Sequence, residues 1–308
     1  MPIIADYNDR VTAYGNPYQP VLKILMELKK AFRYMLISTL AFTFMNALVK
    51  YLVHLNAYQL VFFRSLGSLV FTMGFLLHRG INIFGNEKKL LVLRGLVGVT
   101  SMALFFMSLK YLPIGSAVSL RYIAPIFAAL FAVTLLGEKI KKLQWLFFLI
   151  AFSGVLVLKG FDGQLNTKGL LLVMAASVFS GLVYIIINKI GKKDHPVVVV
   201  NYFMFIATVV GGILSIQNWV WPVGMEWVLL LSLGIFGYFG QLYMTKAFQT
   251  AVINQVAPLK YIEVFFTLLV GVFWFNEIYT IWSLLGIALI IGGLCLNVLY
   301  KTKSKNRA

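Results

Sequence analysis

Negative charge is the scarcest property of this sequence. Its 308 residues hold 10 aspartates and glutamates against 27 lysines and arginines, and charged residues of both signs make up only 12% of the chain. Hydrophobic residues make up 60%, and the mean hydropathy is +0.87. A water-soluble domain has about half apolar and about a quarter charged residues. The composition therefore excludes an ordinary soluble protein and is typical of a chain that crosses a membrane many times.

The residues and motifs on which many enzymes depend are also missing. Cys295 is the one cysteine, so no disulfide can form within the chain and a thiolate metal site is not expected. The three histidines, His54, His78 and His195, fall between apolar segments, and the sequence has no HExxH motif and no G-x-x-x-x-G-K-[ST] phosphate loop. We therefore expect no enzymatic activity, no cofactor, no bound metal and no step driven by ATP.

Apolar segments of about 20 residues predict transmembrane helices, because that length spans the hydrocarbon core of a bilayer. The chain has ten such segments, and the lipid bilayer is their expected surroundings. They cover residues 33–53, 58–78, 90–111, 115–136, 143–159, 168–189, 196–216, 226–247, 252–275 and 280–300. We expect residues 1–32 to form a polar lead with an amphipathic helix at the membrane surface. Residues 301–308 form a basic tail.

Lysine and arginine concentrate in alternate loops. They cluster in the N-terminal lead, in the loops after the second, fourth and sixth segments, and in the tail. By the positive-inside rule both termini are cytoplasmic. The lysine- and asparagine-rich loops favour the inner (cytoplasmic) membrane of a bacterium. The same asymmetry explains the net charge of +17, so we expect no nucleic-acid partner.

The second half of the chain repeats the first at an offset of 139 residues, without a gap. Leu120-Arg121-Tyr122-Ile123 corresponds to Leu259-Lys260-Tyr261-Ile262. The halves, residues 33–160 and 168–300, hold five segments each, so the second copy enters the membrane from the opposite side. Inverted repeats are the architecture of secondary transporters, whose substrate site lies near the midplane between the halves. A membrane scaffold or sensor that transports nothing is the alternative.

Once the other lysines and arginines are assigned to loops and segment ends, five cationic residues remain in or near the predicted spans. Lys50 and Arg94 lie near helix ends, where a long side chain extends to the interface. We interpret Arg64 and Arg94 as structural charges. Arg64, Arg121 and Lys260 are several residues deeper, where a charge must face the protein interior, a cavity or a partner, and Arg121 and Lys260 lie on opposite sides of the midplane. This excess of buried positive charge predicts an anionic or zwitterionic substrate.

Glu263 is the one carboxylate inside a predicted span, three residues after Lys260 and on the same helical face. Two interpretations stay open. The two side chains form a structural pair, or Glu263 is a protonatable group that couples transport to a proton. Tyr122 and Tyr261 follow the cationic residue in each copy, and each offers a ring face and a hydroxyl to a ligand.

These features resemble the drug/metabolite transporter superfamily, and within it the EamA-type carriers of ten helices. The resemblance rests on the two five-helix repeats and on Phe63-Arg64 in the second span. It also rests on the run from Lys110-Tyr111-Leu112-Pro113 to Ala124-Pro125, and on Gly137-Glu138 at the end of the fourth span. Residues 93–113, LRGLVGVTSMALFFMSLKYLP, are similar to the branch of the solute carrier 35G proteins.

The resemblance implies an all-α carrier that moves a small polar metabolite, such as an amino acid, by alternating access. Drug-like or nucleotide-like solutes are the alternative cargo, and two oligomeric states stay open, a single chain and a homodimer. The implied substrate site consists of Asn46, Ser101, Arg121, Tyr122, Tyr184, Gln241, Lys260 and Tyr261, with Glu263 as the coupling group. The second copy departs from the first where Arg64 aligns with Phe203, so the two halves of the site are not expected to be equivalent.

Overall fold

The structure is a computed structural model that describes residues 19–137, 140–161, 166–191, 193–250 and 257–305. The α-helices are α1 (Gln19–Tyr51), α2 (Ala57–His78), α3 (Lys88–Ser108), α4 (Ile114–Arg121), α5 (Ala124–Leu136), α6 (Lys142–Phe161), α7 (Thr167–Ile190), α8 (Pro196–Ser215), α9 (Glu226–Thr250), α10 (Ile262–Phe275) and α11 (Ile281–Lys305). Short 3₁₀ turns, Ile216–Asn218 and Ala257–Tyr261, follow α8 and precede α10. No β-strand occurs within these ranges.

Nine spans within the described ranges are long and apolar enough to cross a membrane, with α4 and α5 counted together. The predicted ninth span, residues 252–275, corresponds to the 3₁₀ turn Ala257–Tyr261 and α10, and its first residues lie outside the described ranges. The prediction of an all-α, multi-pass membrane protein is therefore confirmed. Glu138 of the Gly137-Glu138 motif also lies outside the described residues.

The first helix is longer than a bilayer requires. α1 has 33 residues, and at 1.5 Å per residue it is about 50 Å long. The predicted surface helix before residue 33 is continuous with the first span, since α1 begins at Gln19 and has no break. The first part of the polar lead, residues 1–18, lies outside the described ranges.

The two equivalent spans that carry Arg121 and Lys260 are both interrupted at these residues, which the sequence analysis did not predict. α4 ends at Arg121 and α5 begins at Ala124, while the 3₁₀ turn ends at Tyr261, immediately before α10. Pro125 fits the first turn of α5, where a missing N–H costs nothing. Ser177 of α7 donates to the Leu120 carbonyl at 3.1 Å, which satisfies backbone at the interruption.

Both interrupted spans also end alike. Gly137 ends α5 with φ = 67°, and the equivalent Asn276 ends α10 with φ = 50°. Glycine and asparagine are the residues that most readily adopt this left-handed conformation at a helix C-terminus.

The contacts between helices recur when the two halves are exchanged. α1 packs on α9 as α3 packs on α7, and the equivalent pairs α2–α8 and α6–α11 pack on each other. A side chain added at Gly234 would collide with the backbone of Gly67, and one added at the equivalent Gly95 would collide with Ile206, the equivalent of Gly67. Small residues let helix backbones approach closely in lipid. The duplication in the sequence is therefore also a duplication of packing.

Candidate functional site

A cavity of about 190 Å³ lies between the two repeats. Its lining residues lie on α1, α2, α3, α4, α7, α8, α9 and α10, at the interruption after α4, and on the 3₁₀ turn before α10. Its polar and charged lining residues are Arg64, Arg94, Ser101, Arg121, Tyr122, Ser180, Tyr184, Gln241, Lys260 and Glu263. Among the described lining residues, four are cationic and one is acidic. The cavity therefore carries an excess of positive charge.

Glu263 is buried in the cavity wall by residues of the other repeat. Asn46 of α1 donates to its Oε1 at 3.1 Å, and the Tyr122 hydroxyl donates to its Oε2 at 2.6 Å. Glu263 also lies in the first turn of α10, where the helix dipole favours a negative charge. No ion pair within 4 Å joins it to Lys260, whose Nζ lies 5.5 Å from the centre of the Tyr122 ring. In this conformation Glu263 thus binds Asn46 and Tyr122 instead of Lys260.

Six of the eight predicted substrate residues line the cavity, and two lie directly behind it. Asn46 is fully buried behind Glu263. Tyr261 packs edge-to-face on Tyr122, with ring centres 5.3 Å apart, and does not reach the cavity surface. Ser101 does reach it, and its hydroxyl lies 2.7 Å from that of Ser180, a lining residue that the sequence analysis missed.

Arg64 and Arg94, which the sequence analysis interpreted as structural charges, also line the cavity. Their guanidinium carbons lie 5.7 and 4.0 Å from the centre of the Phe203 ring. The prediction that Arg94 extends to the interface is wrong, because its side chain is 8% exposed and faces the cavity. A signal was present in the sequence, since Arg94, Gly98 and Ser101 are spaced four and three residues apart and share one helix face.

A polar network joins the repeats near the C-terminus of α1. Lys50 forms an ion pair with Glu277 and donates to the Leu112 carbonyl at 2.7 Å. Glu277 accepts the N–H of Ile114 at 3.0 Å, and the Tyr279 hydroxyl donates to the same carboxylate. Burial, and then the neighbouring Glu277 carboxylate, raise the pKa of Tyr279, so its hydroxyl stays protonated at neutral pH. The network holds α1, α4 and the α10–α11 loop together.

Comparison with known proteins agrees with this architecture. Residues 29–159 and 167–299 each match the EamA-like transporter family. The chain belongs to that family. The resemblance to EamA-type carriers of the drug/metabolite transporter superfamily is therefore confirmed, and the two matched segments correspond to the two repeats.

The transporter is similar to curated transporters along most of its length. It is 28% identical over 274 residues to the pseudopaline exporter of Pseudomonas aeruginosa. That alignment covers 87% of this chain and 95% of the exporter. It is 24% identical over 278 residues to human solute carrier family 35 member G1, covering 84% and 76%. The S-adenosylmethionine uptake transporter of Rickettsia prowazekii is 28% identical over 245 residues, covering 79% and 83%.

A solved crystal structure shares the fold. It is 20% identical, with a TM-score of 0.62 over 92% of this chain and 98% of that one. Together these comparisons show a multi-pass membrane transporter that is not an enzyme. The similar relatives include a named exporter and a named uptake transporter.

Proposed function

We propose that this transporter moves a small anionic or zwitterionic metabolite, such as an amino acid or a related compound, across the cytoplasmic membrane by alternating access. The observation that supports this most directly is the charge of the cavity, with four cationic lining residues and one acidic residue. A buried charge without a partner costs several kcal/mol. A carboxylate or phosphate group neutralises a guanidinium through two parallel hydrogen bonds. The substrate's negative group supplies the missing partner.

Arg121 and Lys260 hold that negative group from opposite repeats. The Arg121 guanidinium carbon lies 4.3 Å from the centre of the Phe105 ring, which supports the side chain from the α3 side. Each cation precedes the N-terminus of a half-helix, α5 or α10, whose dipole adds further positive potential. Tyr122 shapes the site and orients Glu263, with Tyr261 behind it, while Ser101, Tyr184 and Gln241 contact the rest of the substrate.

Alternating access follows from the exchangeable packing of the two repeats, since two similar sequences in inverted orientation favour two mirrored conformations. We assign the Lys50–Glu277 network to the closed end of the cavity, since it joins the C-terminus of α1 to the N-terminus of α4, one turn before the lining residue Val118. At the other end of the cavity lie the last turns of α7. The lining residues there, Tyr184 and Ile187, are 42% and 39% exposed. Under the positive-inside rule, that end faces the cytoplasm. The structure then represents the inward-open conformation.

Glu263 couples transport to a proton. Its carboxylate faces a cavity where the substrate's negative charge is expected to bind. Protonation of Glu263 removes the one negative charge among the described lining residues, so an anion binds more favourably when the proton is present. By linkage the anion favours the proton equally. The two are therefore carried together.

The test is transport by purified protein in liposomes. Counterflow is measured with amino acids, carboxylates, phosphorylated metabolites, nucleosides and cationic dyes, in both directions because relatives are named as exporter and uptake transporter. We expect uptake of an anionic or zwitterionic solute, with a loss of about 10- to 100-fold in Arg121→Ala or Lys260→Ala because each removes a charge-assisted contact. Both variants should keep the melting temperature of the wild type to within a few degrees.

Three results would contradict parts of this proposal. Uptake restricted to drug-like or cationic solutes would assign the cations to structure and change the cargo class. Normal anion transport in both alanine variants would remove Arg121 and Lys260 from the site. Absence of any flux, with a cavity that binds no solute, would favour a membrane scaffold or sensor.

A further inference from the structure

Arg64 and Arg94 form a second pair of positive charges in the cavity wall, carried by helices other than the two spans that hold Arg121 and Lys260. They project from α2 and α3, and they are 5% and 8% exposed. Nε of both residues and Nη1 of Arg94 have no hydrogen-bond partner within the described part of the chain. The recorded partner of Arg64 is the sulfur of Met204 at 3.4 Å, which is a weak acceptor. These unpaired donors are themselves buried, so a ligand group that enters between the two guanidinium groups would supply the missing partner.

Two glycines leave the space that these guanidinium groups occupy. A side chain added at Gly98 would lie 2.8 Å from Arg94 Nη1, and one added at Gly237 would lie 3.2 Å from Arg64 Nε. Phe203 of α8 places one ring against both groups. Stacking on a ring offsets only part of the cost of burying a cation. The surrounding residues thus hold two positive charges at the cavity wall without neutralising them.

Glu263 does not neutralise them either. It belongs to the wall built from α1 and α10, where Asn46 and Tyr122 already donate to both of its oxygens. One substrate carboxylate at Arg121 and Lys260 would leave the Arg64–Arg94 pair without a partner. A volume of about 190 Å³ equals the liquid volume of about six water molecules. A compact molecule with two anionic groups fits that space.

We infer that Arg64, Arg94 and Phe203 form a second anion subsite, so that the substrate carries two anionic groups. This inference rests on the proposed function and specifies its substrate class. One group, a carboxylate or phosphate, binds Arg121 and Lys260. The second group, of the same chemistry, binds between Arg64 and Arg94, with the Phe203 ring beneath it. Dicarboxylates, acidic amino acids and phosphorylated carboxylates belong to this class.

The test compares succinate with succinamate, its half-amide, which has nearly the same size and one negative charge fewer. Binding to the purified full-length transporter is measured by thermal shift and by isothermal calorimetry. We expect succinate to bind the wild type about 10- to 100-fold more tightly, which is the contribution of hydrogen bonds to a charged group. Arg64→Gln and Arg94→Gln should lose this preference and bind both ligands as the wild type binds succinamate.

Matched variants separate ligand binding from folding. Arg94→Lys keeps the charge and should keep part of the preference. Arg79→Gln removes an exposed arginine that also lies over an aromatic ring, Phe75 at 6.0 Å, but outside the cavity, and it should change nothing. Arg121→Ala should weaken both ligands alike, because it removes the first subsite.

Each other outcome decides against a specific claim. Equal binding of the two ligands by the wild type, or a preference that survives in both glutamine variants, overturns the second subsite and leaves the proposed function intact. Parallel weakening of both ligands in Arg64→Gln and Arg94→Gln makes these residues structural. If neither succinate nor succinamate stabilises the wild type, the second subsite is overturned, and the counterflow assay alone decides the proposed cargo.

Discussion

Equivalent positions in the two repeats share their packing, but apart from Arg121 and Lys260 the charged residues of the cavity are not repeated. Gly95 and Gly234 are both glycine and both meet a helix of the opposite repeat without space for a side chain. At the cavity, by contrast, Arg64 corresponds to Phe203, and Arg94 corresponds to the buried Leu233. The acidic residue is not repeated either, since Glu263 corresponds to Ala124. The backbone is duplicated, whereas the binding chemistry is divided between the halves.

The geometry of the repeat explains part of this difference. Residues near the axis that relates the halves meet their own equivalents, as Tyr122 meets Tyr261 and Arg64 meets Phe203. A neutral side chain can be repeated at such a place. A cation cannot be repeated without placing two like charges side by side in a buried site. Phe203 opposite Arg64 therefore avoids a third cation beside Arg64 and Arg94.

The largest effect is expected when that asymmetry is removed. Phe203→Arg would place a third guanidinium beside Arg64 and Arg94, in a buried site with no carboxylate partner among the described residues. We expect a loss of about 3–5 kcal/mol in the free energy of unfolding, which is typical of an uncompensated buried charge. Phe203→Leu keeps the site apolar and should cost about 1.5 kcal/mol or less. Thermal unfolding in detergent measures both, and equal melting temperatures would show that the arginines do not repel a third.

A smaller effect should distinguish the two equivalent tyrosines. Tyr122→Phe removes the donor at 2.6 Å from Glu263, and hydrogen bonds to charged groups contribute about 1.5–3 kcal/mol. We expect transport in liposomes to fall about tenfold or more. Tyr261→Phe should change it by less than about twofold, since the Tyr261 hydroxyl has no hydrogen-bond partner among the described residues and does not reach the cavity. Equal losses in the two variants would mean that the hydroxyls have equivalent functions.

Much of the fold could be predicted from the sequence. The length of an apolar segment and the charge of a loop depend only on the backbone and the bilayer. The repeat could be read directly, since equivalent positions such as Arg121 and Lys260 differ by a constant offset. These two residues and Glu263 were identified as cavity residues because a charge is rare and costly inside a membrane. All three do line the cavity.

What the sequence did not reveal depends on how helices rotate against their neighbours. Arg94 was assigned to the interface from its distance to a helix end, yet the face it shares with Gly98 turns toward Phe203. Asn46 was placed in the cavity, although its side chain points at Glu263 from behind. The interruption after Arg121 has a proline nearby, but α10 begins at the equivalent position with Val264 in place of that proline. Periodicity and residue type carry no such tertiary information.

The smallest effect concerns another pair of equivalent residues, Lys50 and Lys189. Lys50 is paired with Glu277, with side-chain exposures of 16% and 9%, whereas Lys189 is exposed in this conformation. Without Lys50, Glu277 keeps the Ile114 N–H and the Tyr279 hydroxyl as donors, so we expect the loss to be near the value for a weakly coupled pair, about 1 kcal/mol, which corresponds to about a fivefold change in an equilibrium. Lys50→Met should therefore favour the outward-open conformation about fivefold. Lys189→Met should not, because no paired contact of this conformation is lost.

The readout is access from outside the cell to a position that the Lys50 network covers. Val118 lines the cavity one turn inside Ile114 and is 2% exposed. Val118→Cys in a Cys295→Ala background is labelled in whole cells with a membrane-impermeant maleimide. Lys50→Met should raise the labelling rate about fivefold, and Lys189→Met should leave it unchanged or lower. An equal rate with and without Lys50 would show that the network does not close the outer side, and labelling restricted to inverted vesicles would reverse the proposed orientation.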